Sequence, residues 1–195
     1  MSLVLRQVKG SKLTIQEGDN NFTYLENLTK KNRPNVASFF DATGGSTTTF
    51  TGTSVWTPLV SNSVQGPNIG SFMYLVNDAY SVGNFGYIYQ IPGVTGNTPS
   101  IFKYEITATI TGGNSKDIEI SLFRDIGGQG NPILVPGSVQ DTTTHSPGSR
   151  PLQIITQGLL GLIQNDIVSV FVQNLSDTSS ISVKRLNVIL TRYEI

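Results

Sequence analysis

The stretch Phe102-Lys103-Tyr104-Glu105-Ile106-Thr107-Ala108-Thr109-Ile110 decides the fold class of this chain. Its apolar residues occupy every second position, and polar or charged residues fill the positions between them. A period of two residues places the apolar side chains on one face of a β-strand and leaves the other face in water. The stretch therefore predicts a strand of an antiparallel sheet that packs one face on a core.

Short strand patterns continue through most of the chain. Residues 117–123 alternate in the same way after a Gly-rich turn, so we expect them to form a hairpin with residues 102–110. A strand is predicted over residues 152–156, followed by an apolar turn over residues 158–163. The last strand, residues 181–195, changes its apolar phase near Arg185, which indicates a β-bulge. Many short strands between Gly and Pro turns predict an all-β, antiparallel jelly-roll sandwich.

The strand at residues 166–175 is apolar on both faces, with valines on one side and Phe171 on the other. Such a strand is covered on both sides. The cover of the outer side is either a second subunit or the loops of the same chain. Tyr87 and Tyr89, on an earlier alternating strand, are further candidates for contact between copies. The predicted oligomer interface comprises Tyr87, Tyr89, Val168, Val170, Phe171 and Val172.

A helix precedes the strands. Thr14 is followed three residues later by Glu17, which is the pattern of a capping box at a helix start. An apolar helical face follows, formed by Ile15, Phe22, Leu25 and Leu28. This face packs on its own domain or docks on another protein or on symmetry mates. Residues 41–54 are rich in Gly, Ser and Thr and are predicted to form a linker. We therefore expect an anchor arm and linker over residues 1–49 and a head domain over residues 50–195.

Composition excludes several classes of function. The chain has 195 residues, 13 basic and 13 acidic, and no cysteine. A neutral chain lacks the basic stripe that nucleic-acid binding requires, and the absence of cysteine excludes disulfides and thiolate metal sites. No run approaches the ~18 apolar residues of a membrane span, and the N-terminal apolar run is too short for a signal peptide. We expect synthesis and folding in a cytoplasm.

No pattern of residues predicts catalysis. His145 is the single histidine and lies in a Thr/Ser/Pro/Gly loop, so we interpret it as a surface residue. Asp117 and Glu119 share one face of a strand, whereas a glycosidase pair works across a cleft. We predict no catalytic, cofactor-binding or metal-binding residue. Candidates for a sugar-stacking surface are Trp56 and the tyrosines, above all Tyr80, Tyr87 and Tyr89, although packing in a core or at a trimer axis is the ordinary role of alternating aromatic residues.

Two stretches resemble known proteins. Residues 9–25 are similar to a segment near the N-termini of tail, fibre and other structural proteins of bacteriophages and large viruses, of the form Gly-Ser-x-Leu-Thr-x-x-Glu-x-Asp-x-Asn-Phe-x-x-Leu. Every fixed position of that form is met. The resemblance implies an anchor to the virion formed by Leu13, Thr14, Ile15, Glu17, Asp19, Asn21, Phe22 and Leu25.

Residues 102–195 resemble the trimeric jelly roll of the tumour-necrosis-factor and complement globular-head type, which viral fibre heads reuse. The resemblance implies a homotrimeric virion protein, assembled in the host cytoplasm, that binds other virion proteins through its arm. It would serve as a fibre head or a decoration protein of the capsid or tail. The alternative is a tip protein that binds a receptor or carbohydrate on the host surface.

Overall fold

A computed structural model describes residues 14–31, 36–41, 43–67, 72–90, 99–113, 115–144 and 150–193, with side chains of the helix described through residue 23. The chain divides into two compact units, Met1–Pro34 and Asn35–Tyr193. The first contains helix α1 (Ile15–Lys31). The second, called the head below, contains the strands. In the described part of the chain, no helix is long and apolar enough to cross a membrane.

The strands of the head vary widely in length. Their bounds are β1 (Val36–Asp41), β2 (Ser46–Thr48), β3 (Thr57–Pro58), β4 (Val64–Gln65), β5 (Met73–Asn77), β6 (Phe85–Tyr89), β7 (Ser100–Thr111), β8 (Asp117–Asp125), β9 (Ile133–Leu134), β10 (Gln140–Thr143), β11 (Leu152–Leu162), β12 (Ile167–Asn174) and β13 (Ile181–Tyr193). A short 3-10 turn, Ile126–Gly128, follows β8.

Two antiparallel sheets form the head. The first sheet has the order β11-β7-β13-β1-β4, with β2 paired to β13. The second has the order β10-β8-β12-β6-β5, with β3 on β12 and β9 on β8. The prediction of an all-β antiparallel sandwich is confirmed, and the strand predicted over residues 102–110 is the central part of β7.

The core lies between the sheets. Inward side chains of β7 are at most 1% exposed, and those of β8 and β12 face them from the opposite sheet. Aromatic rings link the two layers: Tyr87 packs on Phe39 with ring centroids 4.5 Å apart, and Tyr89 packs edge-on against Phe102 at 5.0 Å. Edge-to-face and tilted contacts of this kind stabilise a core beyond the burial of area alone.

The hairpin predicted between residues 102–110 and 117–123 is wrong. β7 pairs with β11 and β13 in the first sheet, whereas β8 pairs with β12, β10 and β9 in the second. The connection after β7 therefore crosses from one sheet to the other. Both strands need one buried face, and facing each other across the sandwich satisfies that need as well as lying side by side does.

The head begins before residue 50, where the domain boundary was predicted. β1 pairs with β13 from Val36 to Phe40, and β2 pairs with Ile181 to Val183. Thr48 is fully buried, because Ser and Thr alternate here as strand residues rather than as linker residues. Asp41 fixes the turn between β1 and β2 by accepting hydrogen bonds from the backbone N–H groups of Thr43 and Gly44, both at 2.9 Å.

Two further predictions about the strands have different outcomes. The bulge predicted near Arg185 is confirmed by a register shift between Val183 and Arg185. The apolar turn predicted over residues 158–163 is wrong, because β11 continues without a register shift to Leu162. Position 158 of this strand is a glycine because a Cβ there would lie 2.5 Å from the hydroxyl oxygen of Tyr104. A glycine inside a strand often marks such a close approach.

Two neighbouring glycines give a matched test of the turn after β1. Gly44 and Gly45 both have positive φ, but a Cβ on Gly44 would lie 2.3 Å from the carbonyl oxygen of Lys184, whereas a Cβ on Gly45 would meet nothing within 4 Å. We expect Gly45→Ala to lower the free energy of unfolding by about 1 kcal/mol through its left-handed backbone. Gly44→Ala should cost at least about 1 kcal/mol more. Equal losses in urea unfolding would show that this contact is unimportant.

Candidate functional site

The capping box at the start of the arm helix, α1, is formed as predicted. The Glu17 backbone N–H donates to Thr14 Oγ1 at 3.2 Å. Glu17 Oε2 accepts hydrogen bonds from the Thr14 backbone N–H at 2.8 Å and from its hydroxyl at 2.9 Å. These reciprocal bonds satisfy donors that the first turn of a helix otherwise leaves without partners. The box fixes where the helix begins.

The predicted anchor residues are at the surface of this helix wherever the structure describes them. Ile15 is 87% exposed and Phe22 is 76% exposed. A spacing of seven residues places both on one side of the helix. Asp19 is exposed and Asn21 is half-buried. Leu13 and the side chain of Leu25 lie outside the described residues.

The interface predicted from buried valine and aromatic side chains is wrong. Within a single copy, these side chains are between 0 and 5% exposed: Tyr87, Tyr89, Val168, Val170, Phe171 and Val172. All except Phe171 belong to the core between the sheets. A side chain that is already dry in one copy gains no further burial when copies meet. The sequence left two possible covers for the outer side of β12, a second subunit or the loops of the same chain. In the structure, residues of the same chain cover it.

The outer side of β12 is covered by an aromatic cluster. Phe171 stacks on Phe123 with ring centroids 4.2 Å apart, Trp56 packs edge-on against Phe123 at 5.4 Å, and Tyr80 packs on Phe171 at 5.6 Å. The Tyr80 hydroxyl donates to Asp125 Oδ2 at 3.2 Å. Burial and the Asp125 carboxylate both raise the pKa of Tyr80. Trp56 and Tyr80 are half-buried and hold this layer on the sheet.

Asp166 has the most buried carboxylate among the described residues, and it links three segments of the head. Its side chain is fully buried and forms an ion pair with Arg124, whose Nη2 lies 2.6 Å from Oδ2. It also accepts hydrogen bonds at 2.9 Å from the backbone N–H groups of Gly127 and Ile163. Several charge-assisted bonds compensate for the removal of the carboxylate from water. Asp166 therefore joins the end of β8, the 3-10 turn and the turn before β12.

Other carboxylates of the head hold a loop or link neighbouring strands. Asp125 accepts backbone hydrogen bonds from Gln129 at 3.0 Å and Gly130 at 2.7 Å. The Asp117 carboxylate accepts from the Thr143 hydroxyl at 2.7 Å, and Glu119 accepts from the side-chain amide of Gln173. Among the described residues, no three His, Asp or Glu side chains are grouped as metal ligands would be. His145 lies outside the described residues.

The first sheet presents its outer face to solvent, and the charged side chains on that face include Lys103, Glu105 and Arg185. In register across its strands, Gln157, Glu105, Ile189 and Ser38 form one row. The next row consists of Ile155, Thr107, Asn187 and Phe40. Ile101 is 37% exposed, and Tyr193, its partner on β13, is 48% exposed. The charges of Lys103 and Glu105 face each other at 3.7 Å.

The edge strand β11 carries a second apolar surface. Ile155 is 50% exposed and Leu159 is 64% exposed. Beside β11, the edge of the second sheet exposes Ile133, Leu134 and Val139 by 39 to 53%. A groove of about 300 Å³ lies between the two edges. Neither the outer face nor the β11 edge was recognised from the sequence, because their apolar residues are interspersed with Thr, Gln and Gly.

Comparison with known proteins identifies the fold. No protein-family model and no curated protein matches the sequence. The head resembles the structure of Eiger TNF from S. frugiperda, with a TM-score of 0.55 and 10% sequence identity over 83% of this chain and 94% of that chain. At this identity the likeness shows a jelly-roll fold of that type and nothing about function.

Two other solved structures give lower scores. Murine APRIL at pH 5.0 matches with a TM-score of 0.47 and 11% identity over 80% of this chain and 97% of that chain. The globular domain of zebrafish complement 1qA matches with a TM-score of 0.44 and 13% identity over 84% of this chain and 98% of that chain.

The buried ion pair gives a direct test of the loop network. Asp166→Asn keeps the shape of the side chain but leaves Arg124 without its anion in a largely buried position. We expect the free energy of unfolding to fall by about 3–5 kcal/mol in urea titrations. Asp141→Asn on exposed β10 is the control and should change stability by less than about 0.5 kcal/mol. Similar losses for the two variants would contradict a structural role for Asp166.

Proposed function

We propose that this protein is a non-enzymatic structural component of a virion, with a homotrimeric jelly-roll head that an N-terminal arm fastens to other virion proteins. The observation that carries the proposal is the exposure of Ile15 and Phe22 on the arm helix, within a segment that matches the viral anchor form. A helix of a folded chain ordinarily buries its apolar face. The described side chains on this face of the helix are instead exposed, which leaves them available to a partner.

The head supplies the second part of the argument. Its core is complete in one copy, so association must use the surface. The outer face of the first sheet is suited to this because Phe40 lies beside Asn187, and because the charge next to Ile189, that of Glu105, is already paired with Lys103. A three-fold arrangement is the expectation that the jelly-roll resemblance adds.

A second candidate function is host attachment through a receptor or a carbohydrate. Trp56 supports it, because its half-buried ring lies at the surface of the aromatic cluster and could stack on a sugar. Glycan-array binding by the full chain that is lost in Trp56→Leu would favour this function over a purely structural one. If the chain binds no glycan, host attachment would have to occur through contact with a protein receptor.

The anchor is tested at Phe22, with Thr23 as a matched control. Both side chains are exposed on adjacent positions of the helix, but Phe22 is apolar and Thr23 is polar. In virions assembled with the variant chain, Phe22→Asp should reduce incorporation at least about tenfold, since an interface anchor is worth about 1.4 kcal/mol or more. Thr23→Asp should have little effect. Normal incorporation of the Phe22 variant would refute the anchor.

Self-association is tested at Ile189, at the centre of the outer face. Light scattering should give a mass of three chains of 21.1 kDa, or a multiple of three. Ile189→Asp should dissociate this assembly because it places a charge in an interface without a partner. Val82→Asp is the control, because Val82 is 86% exposed and lies between β5 and β6, outside this face. A monomer in the wild type would contradict the homotrimer.

A further inference from the structure

The strand β11 is a free sheet edge without the usual protection. It pairs with β7 at every residue from Leu152 to Leu162, and within the described residues it pairs with no other strand. Its other side therefore carries backbone N–H and C=O groups without a strand partner. Natural proteins protect such edges with charged side chains, prolines, bulges or short strands. β11 has 11 residues, contains no charge and no proline, and shows no register shift.

The sequence of β11 is symmetrical in polarity about Gln157. Reading outward from that residue, Thr156 corresponds to Gly158, and Gln153 corresponds to Gly161. The apolar residues correspond in the same way: Ile155 with Leu159, Ile154 with Leu160, and Leu152 with Leu162. Two such strands laid antiparallel, with Gln157 opposite Gln157, would therefore place every Ile and Leu of one strand opposite an Ile or Leu of the other, on both faces.

We infer that β11 pairs edge to edge with β11 of a second copy, antiparallel and about a two-fold axis through Gln157. A two-fold contact requires a surface that complements itself, and a palindromic strand is such a surface. The pairing would satisfy the free backbone groups and join the first sheets of two heads into one continuous sheet. On its outer side, Ile155 of each copy would pack beside Leu159 of the other, burying side chains that are 50% and 64% exposed in a single copy.

The neighbouring surface agrees with a second copy as the occupant. Ile133, Leu134 and Val139 lie on the edge of the second sheet beside β11, and all are exposed. A two-fold axis at Gln157 brings this edge towards its own counterpart. Arg124, the charged residue that lines the groove between the edges, is already paired with Asp166. Two copies would therefore meet there without bringing unpaired like charges together.

This contact is distinct from the proposed trimer. The trimer is centred on Ile189 of β13, two strands from β11 in the first sheet, whereas the two-fold contact is centred on Gln157 at the edge of that sheet. Together, three-fold heads and two-fold edges would connect chains into an extended layer or a closed shell. Either contact can exist without the other, so the two inferences can fail separately.

The test uses disulfide trapping, which is clean because the chain has no cysteine. In Gln157→Cys, the two introduced thiols face each other across the axis, with Cα atoms about 4.5–5.5 Å apart, within the range that a disulfide spans. We expect most of the full-length chain to form a covalent dimer on mild oxidation. In the control, Gln153→Cys, the thiols of two paired copies would lie about 26 Å apart along the strands and should remain largely unlinked. Both positions are exposed.

A charge exchange gives a second measurement. Gln157→Lys and Gln157→Glu should each weaken association through β11 at least about threefold, because like charges would face each other across the axis. Mixing the two variants should restore association, since opposite charges then meet. Gln157→Cys dimers no more abundant than those of the Gln153 control, or a mixture that associates no better than its parts, would overturn the inference. A chain that is linked through Gln157→Cys but shows no trimer by light scattering in the wild type would instead count against the trimer alone.

Discussion

The structure depends on the burial of apolar side chains between two sheets within a single copy of the chain. The valines of β12 and the inward residues of β7 face each other across the sandwich and are almost completely dry. Hydrophobic burial of this kind is the dominant favourable term in folding. Because the core is complete without a partner, the contacts that we propose use surfaces outside it: the outer face of the first sheet and the β11 edge for other copies, and the arm helix for other proteins.

Buried carboxylates of the head also stabilise the fold of the single copy. Asp166, Asp125 and Asp41 each accept backbone hydrogen bonds at the point where a strand ends, and each is nearly or completely buried. For Asp41, burial acts to raise the pKa, but hydrogen bonds from Ser61, Gly44 and Thr43 outweigh it, so that the pKa lies below the usual value. These carboxylates fix loops. A protein built in this way presents rigid surfaces, which suits assembly.

The periodicity of the sequence was sufficient to predict the strands and the helix, but insufficient to predict which segments contact one another. The alternation around Tyr104, the phase change at Arg185 and the spacing of Thr14 and Glu17 predicted a strand, a bulge and a helix start, because each is a local consequence of backbone geometry. The partner of β8 and the cover of Phe171 depend on residues distant in the chain. An apolar pattern on both faces of β12 is equally consistent with cover by a second subunit and with cover by Trp56 and Tyr80 of the same chain. Gly158 resembles a turn residue in the sequence, because its close contact with Tyr104 is visible only in the folded chain.

The central claim is that the head folds as a single copy and that association is a separate step. The most direct measurement is the urea unfolding midpoint, followed by Trp56 fluorescence over a wide range of protein concentration, with light scattering on the same samples. Stability that depends on subunit contact falls with dilution, by mass action. We predict that the midpoint stays constant at dilutions where scattering shows separated chains. A midpoint that falls together with the mass would show that the core is complete only in the assembly, and would contradict this account.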